Sequence, residues 1–356
     1  MMRSQDKVRI VHIAVFIAAA SALQAAEALL PHPIPWIRLG LANALTLFSL
    51  IIYGPGAAFS VSFGRILIGS MLSGSFLSPV FYLSLSGGLF STLIMTLIYR
   101  PFGVLSPVGV SMAGAVSHNF AQLIVAYLLM GNKGVFLLSP ILILTGSVFG
   151  FINGYIVKKI LPVLAVYADK KIYLASTSPQ RKEFFLKAGV PFIPIAPEAD
   201  EPSADEGESP SDYAKRIAEK KMESVKGKIS PPGIVITADT LVECGGRIMG
   251  KPISEENAEE MLRFMSGEKQ RVYTAISGYN LSSKEKITEI TATELKFKTL
   301  TESDIENLRS KNIDKAGAYG IQSMRDKYIE WIRGSYSNVV GLPMGSLRRI
   351  IRKLSP

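Results

Sequence analysis

The chain has 356 residues, 48% of them hydrophobic, and a formal net charge of +10 at pH 7. Residues 1–165 hold nine Lys or Arg residues but only two acids, Asp6 and Glu27, whereas residues 166–356 hold 30 basic and 27 acidic residues. The basic excess therefore belongs mainly to an apolar half, which indicates membrane flanks and excludes nucleic acid as the expected partner.

Long apolar stretches fill the N-terminal half, at roughly residues 8–30, 40–53, 56–73, 79–99, 107–130 and 136–161. Several approach the ~20 residues that a membrane-spanning helix needs, although the second stretch is short. A cleavable signal peptide does not explain the stretches that follow the first. We therefore predict an all-α transmembrane domain of about six helices over residues 1–165, embedded in the lipid bilayer.

The basic residues around these stretches predict the orientation of the domain. With six spans both ends share one side, and the flanking cations divide into Arg3, Lys7, Arg9, Arg100, Lys158 and Lys159 against Arg38 and Lys133. The positive-inside rule places the richer side in the cytoplasm. We expect a multi-pass protein of the cell (inner) membrane whose C-terminal domain is cytoplasmic.

Polar side chains interrupt the apolar stretches at Glu27, Asn43, Arg65, His118, Asn119 and Gln122. Polar groups inside a membrane are costly and often mark function. They predict either a ligand pocket or hydrogen bonds that tie helices together, with Arg65 extending toward a polar surface in the second case.

At Arg38-Leu-Gly-Leu-Ala-Asn43, Ser84-Leu-Ser-Gly-Gly88 and Ser117-His-Asn-Phe-Ala-Gln122 this half resembles the family called heptaprenyl diphosphate synthase component I, or Gx transporter. The resemblance covers roughly residues 8–161. It implies a six-helix bundle similar to the substrate-capture subunits of energy-coupling-factor vitamin transporters, with transporter energising subunits as partners. The synthase label has little support, because no Asp-Asp-x-x-Asp motif is present. Binding or transport of a small molecule is the better interpretation.

A short linker, residues 166–170, is predicted before the C-terminal domain at 171–356. All three histidines, His12, His32 and His118, precede it, so catalysis in the C-terminal domain has to rely on carboxylates, Lys, Arg or metal. The single cysteine, Cys244, excludes an internal disulfide. Without a histidine to activate it, a thiol beside a turn is a better interpretation than a nucleophile.

The start of the C-terminal domain contains a candidate phosphate site. Ile172-Tyr-Leu-Ala175 predicts a short buried strand, and a helix is predicted from Gln180. Between them, Ser176-Thr-Ser-Pro179 offers free backbone N–H groups beside the cations Arg181 and Lys182, which suits a phosphate. The Ser-Pro pattern is equally an ordinary helix start.

A second candidate follows at Ile234-Val-Ile-Thr-Ala-Asp239-Thr240, which predicts an apolar strand ending in a carboxylate and a hydroxyl. Such an end suits a metal ligand or a general base, with a turn-capping Asp as the alternative. The later Gly245-x-x-x-x-Gly250-Lys251 mimics a phosphate-binding loop, but Pro252 replaces the required Ser or Thr and Gly245-Gly246 predicts a hairpin. Only Lys251 is kept, as a candidate phosphate contact.

Three further segments complete the pattern. Asp200 and Glu201 lie in an acidic loop and are candidate metal ligands. The segment from Ser254 to Arg263 predicts a capped amphipathic helix. The segment Lys315-Ala-Gly-Ala-Tyr-Gly-Ile-Gln322 predicts either an amide that reads a base or a tight packing corner.

Taken in order, these blocks resemble the Maf family over nearly all of residues 171–356. The blocks are Ser176-Thr-Ser-Pro-Gln-Arg181, Asp200-Glu201, Ala238-Asp239-Thr240, Gly250-Lys251-Pro252, Met265-Ser-Gly267 with Val272-Tyr-Thr274, Ala316-Gly-Ala-Tyr-Gly-Ile-Gln322 and Gly334-Ser-Tyr-Ser-Asn-Val-Val-Gly-Leu-Pro343. The resemblance implies an α/β domain with an elongated mixed sheet and a cleft between two lobes. It also implies hydrolysis of a nucleoside triphosphate to monophosphate and diphosphate, with Mg²⁺ or Mn²⁺ as cofactor.

The resemblance also implies residue roles. Asp239 is the expected proton acceptor, and Glu201 and Asp239 are the expected metal ligands. The triphosphate contacts are expected from Ser176, Arg181, Lys221 and Lys251.

Base preference is expected to follow Gln180, Thr240 and Gln322. Thr240 and Gln322 match the subgroup that acts on dTTP and UTP, but that subgroup usually has Arg where Gln180 stands, and the family usually has His where Gln270 stands. The loss of a cation at Gln180 bears on both substrate preference and rate. A homodimer is a further expectation by analogy.

Two functions follow from these patterns. The first is a pyrimidine nucleoside triphosphate pyrophosphatase tethered to a membrane domain that binds or transports a small molecule. The second is a membrane transporter component whose Maf-like domain is weakly active or regulatory, for example in septum formation.

Overall fold

The computed structural model describes residues 4–29, 40–168, 171–250, 252–309 and 325–355. The chain divides into two compact units: an N-terminal unit of residues 1–169 together with 185–192, and a C-terminal unit of residues 170–184 together with 193–356. A 3-10 turn at Ala165–Tyr167 follows the last long helix of the N-terminal unit. The predicted domain limits of 1–165, 166–170 and 171–356 stay predictions.

The N-terminal unit is helical throughout its regular described structure. Its helices are α1 (Ser4–Leu29), α2 (Leu41–Tyr53), α3 (Pro55–Leu72), α4 (Pro79–Ile98), α5 (Pro107–Met130) and α6 (Ser139–Leu164). Among the described residues, five helices are long and apolar enough to cross a membrane, whereas α2 has 13 residues. At ~1.5 Å per residue, α2 extends about 20 Å, short of a hydrocarbon core of ~30 Å. The prediction of about six helices with a short second one is confirmed.

Proline marks the start of several of these helices. Pro55, Pro79 and Pro107 are the first residues of α3, α4 and α5. Proline is favoured there, because the first helical residue needs no N–H and the ring presets the helical backbone angle. Ser106 adds a side-chain cap by accepting a hydrogen bond from the backbone N–H three residues later.

A stripe of glycines brings α6 close to α5. Gly146, Gly150 and Gly154 recur every four residues along α6 and so share one face. A Cβ atom at Gly150 would lie 2.6 Å from the Cα of Met112, and one at Gly154 would lie 2.5 Å from the Cα of Val108. The backbones of α5 and α6 can lie this close because α6 has glycine at these positions, as is usual where membrane helices pack closely.

The C-terminal unit is an α/β structure built on one mixed sheet. Its described strands are β1 (Ile172–Ala175), β2 (Ile193–Ile195), β3 (Ile234–Cys244), β4 (Arg247–Met249), β5 (Lys269–Asn280), β6 (Lys286–Phe297) and β7 (Ile329–Arg333). The strand order is β2-β1-β3-β5-β6-β7, and β4 pairs with β3 beside β1. β1 is parallel to β2 and β3, and the other pairs are antiparallel. The predicted elongated mixed sheet is confirmed.

Helices of this unit cover the sheet and connect its strands. Those described are α7 (Pro179–Lys187), α8 (Pro210–Lys226), α9 (Glu255–Met265), α10 (Glu302–Arg309), α11 (Arg325–Tyr328), α12 (Tyr336–Val339) and α13 (Met344–Leu354). The predicted capped helix is α9, where Ser254 accepts a hydrogen bond from the backbone N–H of Asn257.

α8 and α13 pack on opposite faces of the sheet. Thr237 Oγ1 on β3 donates to the carbonyl of Ala218 on α8 at 2.7 Å. The neighbouring Ile236 lies beside Gly278 of β5, where an added Cβ atom would meet Ile350 of α13 at 2.4 Å. Because side chains of consecutive strand residues point to opposite faces, the two helices enclose β3 from both sides.

The predicted end of β3 is wrong. The strand does not stop at Asp239 and Thr240 but continues to Cys244. Its second half pairs with β5 on one edge and with β4 on the other. Pairing with both neighbours outweighs the local polar signal, so the candidate carboxylate lies in the middle of a strand.

Candidate active site

β3 changes its neighbour halfway along one edge. β1 pairs with it as far as Ala175 opposite Thr237, and β4 begins opposite Val242. Among the described residues, no strand pairs with positions 238–241 on this edge. Side chains from other elements can therefore approach the β3 backbone here.

Asp239 belongs to this gap and meets a lysine from α8. Lys221 is 8% exposed, and its Nζ donates to Asp239 Oδ1 at 2.6 Å. The same Nζ lies 2.7 Å from Glu201 Oε1 in the acidic loop. The side chain of Asp239 is 13% exposed and that of Glu201 is 40% exposed. Two carboxylates thus share one ammonium, and these three groups together carry a negative charge.

Arg181 on α7 also contacts the unpaired stretch of β3, at Ala238. Its Nη1 donates to the carbonyl of Ala238 at 2.8 Å, and its Nε donates to the carbonyl of Gly341 at 2.9 Å. Burial lowers the pKa of Arg181, while the carboxylates of Asp239 and Glu201 act in the opposite direction. The guanidinium therefore bridges β3 and the loop after α12 and adds positive charge next to the carboxylates.

Asp239 and Thr240 point to opposite faces of the sheet, as consecutive strand residues must. Thr240 Oγ1 forms a hydrogen bond with Thr274 Oγ1 on β5 at 2.9 Å and accepts one from Arg181 Nη2 at 3.1 Å. Arg181 therefore contacts both the Thr240 hydroxyl, on one face of the sheet, and the Ala238 carbonyl, at the unpaired edge of β3.

The predicted phosphate seat at the start of α7 is a hydrogen-bonded turn. Ser176 is buried, and its Oγ accepts from the backbone N–H of Ser178 at 3.2 Å and from Arg181 Nη1 at 3.4 Å. Ser178 Oγ donates to Gln180 Oε1 at 3.0 Å. The structure thus brings Ser176, Gln180 and Arg181 together at the end of β1.

Two residues of the predicted site, Lys251 and Gln322, lie outside the described residues. The turn that precedes Lys251 is described, and it links β3 to β4 through Gly245 and Gly246, both with positive φ. This arrangement is a two-residue hairpin, which favours glycine. The prediction of a hairpin instead of a phosphate-binding loop is confirmed.

Sequence reasoning assigned no role to three residues that support the site. The carbonyl of Gly341 accepts from Arg181, and Thr274 holds Thr240. Asn338 is fully buried and donates through Nδ2 to the carbonyl of Val272 at 2.9 Å. Gly341 and Asn338 belong to one of the blocks that carry the family resemblance, so the signal was present without an assigned chemistry.

Gln270 on β5, which stands where the family usually has His, is buried away from these contacts. It is 1% exposed, and its Nε2 donates to the carbonyl of Met265 at 3.4 Å. Its Oε1 is buried and has no hydrogen-bond partner among the described residues. The substitution leaves a polar atom in the core instead of changing the carboxylate cluster.

The carboxylates fit a divalent cation that also binds phosphate. The described residues contain no group of three or more His, Cys, Asp or Glu side chains that suits a metal. Mg²⁺, however, is commonly held by one or two carboxylates together with water and substrate phosphates. Asp239 and Glu201 supply two such oxygens, and the ammonium of Lys221 already lies between them as a monovalent cation.

Comparison with known families divides the chain near residue 170, where the main structural boundary also lies. Residues 171–354 match the family described as Maf-like protein. Residues 16–160 match the family described as heptaprenyl diphosphate synthase component I.

Several curated relatives match the C-terminal half. A dTTP/UTP pyrophosphatase of Clostridioides difficile (strain 630) is 42% identical over 184 residues, which are 51% of this chain and 94% of that protein. Proteins of the same name from Elusimicrobium minutum (strain Pei191) and Bacillus cereus (strain G9842) are 37% and 41% identical, and the matches cover 98% and 95% of their lengths. The similarity thus spans nearly the whole of each relative.

Proposed function

The chain belongs to the Maf family, and on that premise we propose that its C-terminal unit is a nucleoside triphosphate pyrophosphatase acting on dTTP, UTP or modified pyrimidine nucleotides. The reaction releases the monophosphate and diphosphate. The relatives that share 37–42% of their residues with this unit are dTTP/UTP pyrophosphatases. The single observation that carries the proposal is the pair of carboxylates on Lys221, placed at a gap in the sheet edge.

Asp239 is the proposed proton acceptor. Its Oδ1 is held by Lys221 at 2.6 Å, and the described residues offer no hydrogen bond to Oδ2. Oδ2 is therefore the atom that can orient a water molecule and take its proton as the water oxygen attacks the α-phosphorus. The bond between the α-phosphorus and the bridging oxygen breaks, and diphosphate leaves. No covalent intermediate is needed, which agrees with the absence of histidine from residues 166–356.

The cations have two proposed tasks. Lys221 fixes the direction of the Asp239 carboxylate. Arg181 provides positive charge beside the phosphate oxygens, whose negative charge increases as water attacks the α-phosphorus. Electrostatic stabilisation of this kind is the main way a protein stabilises such a transition state. A divalent metal held by Asp239 and Glu201 would neutralise phosphate oxygens and position the triphosphate. Ser176 and Lys251 are retained as proposed phosphate contacts.

Base preference is proposed to depend on Thr240, Gln180 and Gln322. Thr240 presents a hydroxyl that Thr274 and Arg181 hold in place. Gln180 is neutral and is held by the hydroxyl of Ser178. A neutral amide at this position forms a weaker phosphate contact than a guanidinium, so we expect a reduced rate. The proposed preference for pyrimidines is based on Thr240 and Gln322 and not on Gln180.

For the N-terminal unit we propose binding or transport of a small molecule in the cell membrane. The five long apolar helices and a largely apolar cavity with a few polar groups on its wall support this role. The excess of basic residues at both ends of the unit supports a cytoplasmic C-terminal unit. Transporter energising subunits and a second copy of this chain are proposed as partners.

The test is diphosphate release by the full-length protein in lipid nanodiscs, with dTTP, UTP, CTP or GTP and either Mg²⁺ or Mn²⁺. We expect metal-dependent release that is fastest with dTTP and UTP, and a loss of ~10²-fold or more in kcat/KM for Asp239→Asn. Glu243→Gln is the matched control, because Glu243 lies on β3 four positions after Asp239 and caps the hairpin instead. Absence of release from folded protein, or equal rates for Asp239→Asn and the parent, would favour the regulatory alternative.

A further inference from the structure

A cavity of about 330 Å³ lies within the N-terminal unit. Polar side chains gather on its wall, chiefly Gln24, Glu27, Asn43, Arg65, His118 and Asn119, and the remaining wall is largely apolar. This size and this mixture of an apolar wall with a few polar groups are typical of small-molecule sites.

Arg65 is the only Lys or Arg on the described wall of the cavity. It is 5% exposed, so it does not extend to a polar surface as one interpretation of the sequence expected. Its Nη1 donates to Gln24 Oε1 at 3.0 Å and its Nη2 to Asn43 Oδ1 at 2.6 Å. Nε has no partner among the described residues. Two of the five guanidinium N–H groups are thus bound, and both acceptors are neutral amides.

The carboxylate on the same cavity wall, Glu27, forms its hydrogen bonds with the start of α2. Glu27 Oε1 accepts from the backbone N–H of Leu41 at 2.7 Å, and Oε2 accepts from that of Gly40 at 3.3 Å. Glu27 therefore stabilises the positive end of α2. In the described part of the chain no carboxylate lies within 4.0 Å of Arg65. Glu27 interacts with the guanidinium electrostatically but not by direct contact, so the guanidinium has no direct anionic partner where a buried charge is costly.

We propose that this cavity binds a small organic monoanion, a carboxylate attached to an apolar body, with the carboxylate on the guanidinium of Arg65. Guanidinium and carboxylate match in shape and form two parallel hydrogen bonds. A phosphate is disfavoured, because it carries about −1.5 to −2 charges at pH 7 and the described wall has a single permanent cation. The inference rests on the proposed binding role of the N-terminal unit and is independent of the proposed pyrophosphatase activity.

Neighbouring glycines keep the polar groups of this wall in place. A Cβ atom at Gly87 of α4 would lie 2.7 Å from His118 Nε2, and one at Gly146 of α6 would lie 2.9 Å from Asn119 Nδ2. Each side chain therefore occupies space that only glycine leaves open. The arrangement positions uncharged hydrogen-bonding groups around the cavity, where they can contact the polar atoms of a bound acid.

The experiment measures binding of 3-phenylpropanoate and of its uncharged amide, 3-phenylpropanamide, to the full-length protein in zwitterionic nanodiscs. Empty nanodiscs correct for partition into lipid. We expect the carboxylate to bind at least tenfold more tightly than the amide. Arg65→Gln is expected to reduce this ratio to about one, whereas Arg65→Lys should retain part of it. Arg100→Gln, which changes an arginine outside the cavity, should leave the ratio unchanged.

Several outcomes would overturn the proposal. Equal binding of the two probes rejects the anion site while leaving the binding role intact, and binding of neither probe rejects both. If Arg65→Gln fails to fold, the ratio measured on the parent decides alone.

Hydrolysis of dTTP by the same parent sample separates these outcomes from failure of the pyrophosphatase. Palmitate added to the nanodiscs identifies the source of the natural acid, since displacement of 3-phenylpropanoate indicates a lipid and lack of displacement a water-soluble acid.

Discussion

Lys221→Met removes the ammonium that two carboxylates share and leaves their charges facing each other. Asp239 Oδ1 and Glu201 Oε1 lie 2.6 and 2.7 Å from Lys221 Nζ. They are thus at most about 5 Å apart, and at an effective dielectric constant of about 20 their repulsion is at least about 3 kcal/mol, which the ammonium offsets in the parent and no group offsets in the variant. Because Glu201 is 40% exposed, solvent screening reduces this to about 2 kcal/mol. The unfolding temperature of the C-terminal unit should then fall by about 4–8 °C.

A double-mutant cycle followed by scanning fluorimetry at pH 7.5 tests this value. Lys221→Met combined with Asp239→Asn should recover most of the lost stability, because an amide does not repel the remaining carboxylate. Lys220→Met is the matched control, since Lys220 is an exposed lysine on the same helix. The reasoning is refuted if the double variant unfolds no higher than Lys221→Met alone.

Magnesium provides an independent measurement on the same proteins. A dication between the two carboxylates would replace the missing ammonium, so millimolar Mg²⁺ should raise the unfolding temperature of Lys221→Met more than that of the parent. Equal shifts in the two proteins would contradict the assignment of Asp239 and Glu201 as metal ligands.

Arg181→Lys should lower kcat/KM for dTTP by ~10²-fold or more, because an ammonium cannot bridge the two carbonyls that the guanidinium joins. Lys182→Gln is the control. A loss below tenfold in Arg181→Lys, or an equal loss in the control, would oppose this reasoning. Gln180→Arg should raise the same constant by about tenfold, since it adds a guanidinium that can pair with the proposed triphosphate, and unchanged kinetics would place this position away from the triphosphate. Gln270→Met removes a buried unpaired oxygen and should raise the free energy of unfolding in urea by about 1 kcal/mol, with a decrease as the contrary result. Burial raises the pKa of the Cys244 thiol, so iodoacetamide should label it slowly at pH 7.5 in native protein and fast in urea; rapid native labelling would show that the thiol is accessible.

The helices of the N-terminal unit were the most predictable part of the fold. Each apolar stretch became one helix, because proline and glycine separate the stretches and backbone groups in a membrane are satisfied within a helix. α3, for example, begins at Pro55 and ends at Leu72, within one residue of the predicted 56–73. Local sequence therefore determines these boundaries.

The length of β3 was not predictable in the same way. Asp239 interrupts an apolar run and locally indicates a strand end. The strand continues because Thr240 pairs with Thr274 and Val242 pairs with both Val272 and Met249. These partners are distant or lie beyond a turn, so pairing decides the outcome and the local pattern does not.

The site was predictable as a set of residues but not as a geometry. Asp239, Glu201 and Lys221 were assigned through family resemblance, because their separation in sequence gives no periodic signal. Their convergence on one ammonium depends on how the acidic loop and α8 pack on β3. The carbonyl of Gly341, which lies 160 residues after Arg181, was beyond reach for the same reason.

The close contact between α5 and α6 has a mechanical consequence. Gly150 and Gly154 lie against the backbone of α5, so a rotation of α6 that brought a larger side chain to this face would meet that backbone. We therefore expect α5 and α6 to keep their relative arrangement while the rest of the N-terminal unit changes conformation. Gly114 of α5 holds α4 in a similar way, because a Cβ atom there would lie 2.6 Å from Met95 Cγ on α4. Any opening that lets a molecule enter the cavity is therefore expected to come from displacement of α1 to α3 relative to α4, α5 and α6.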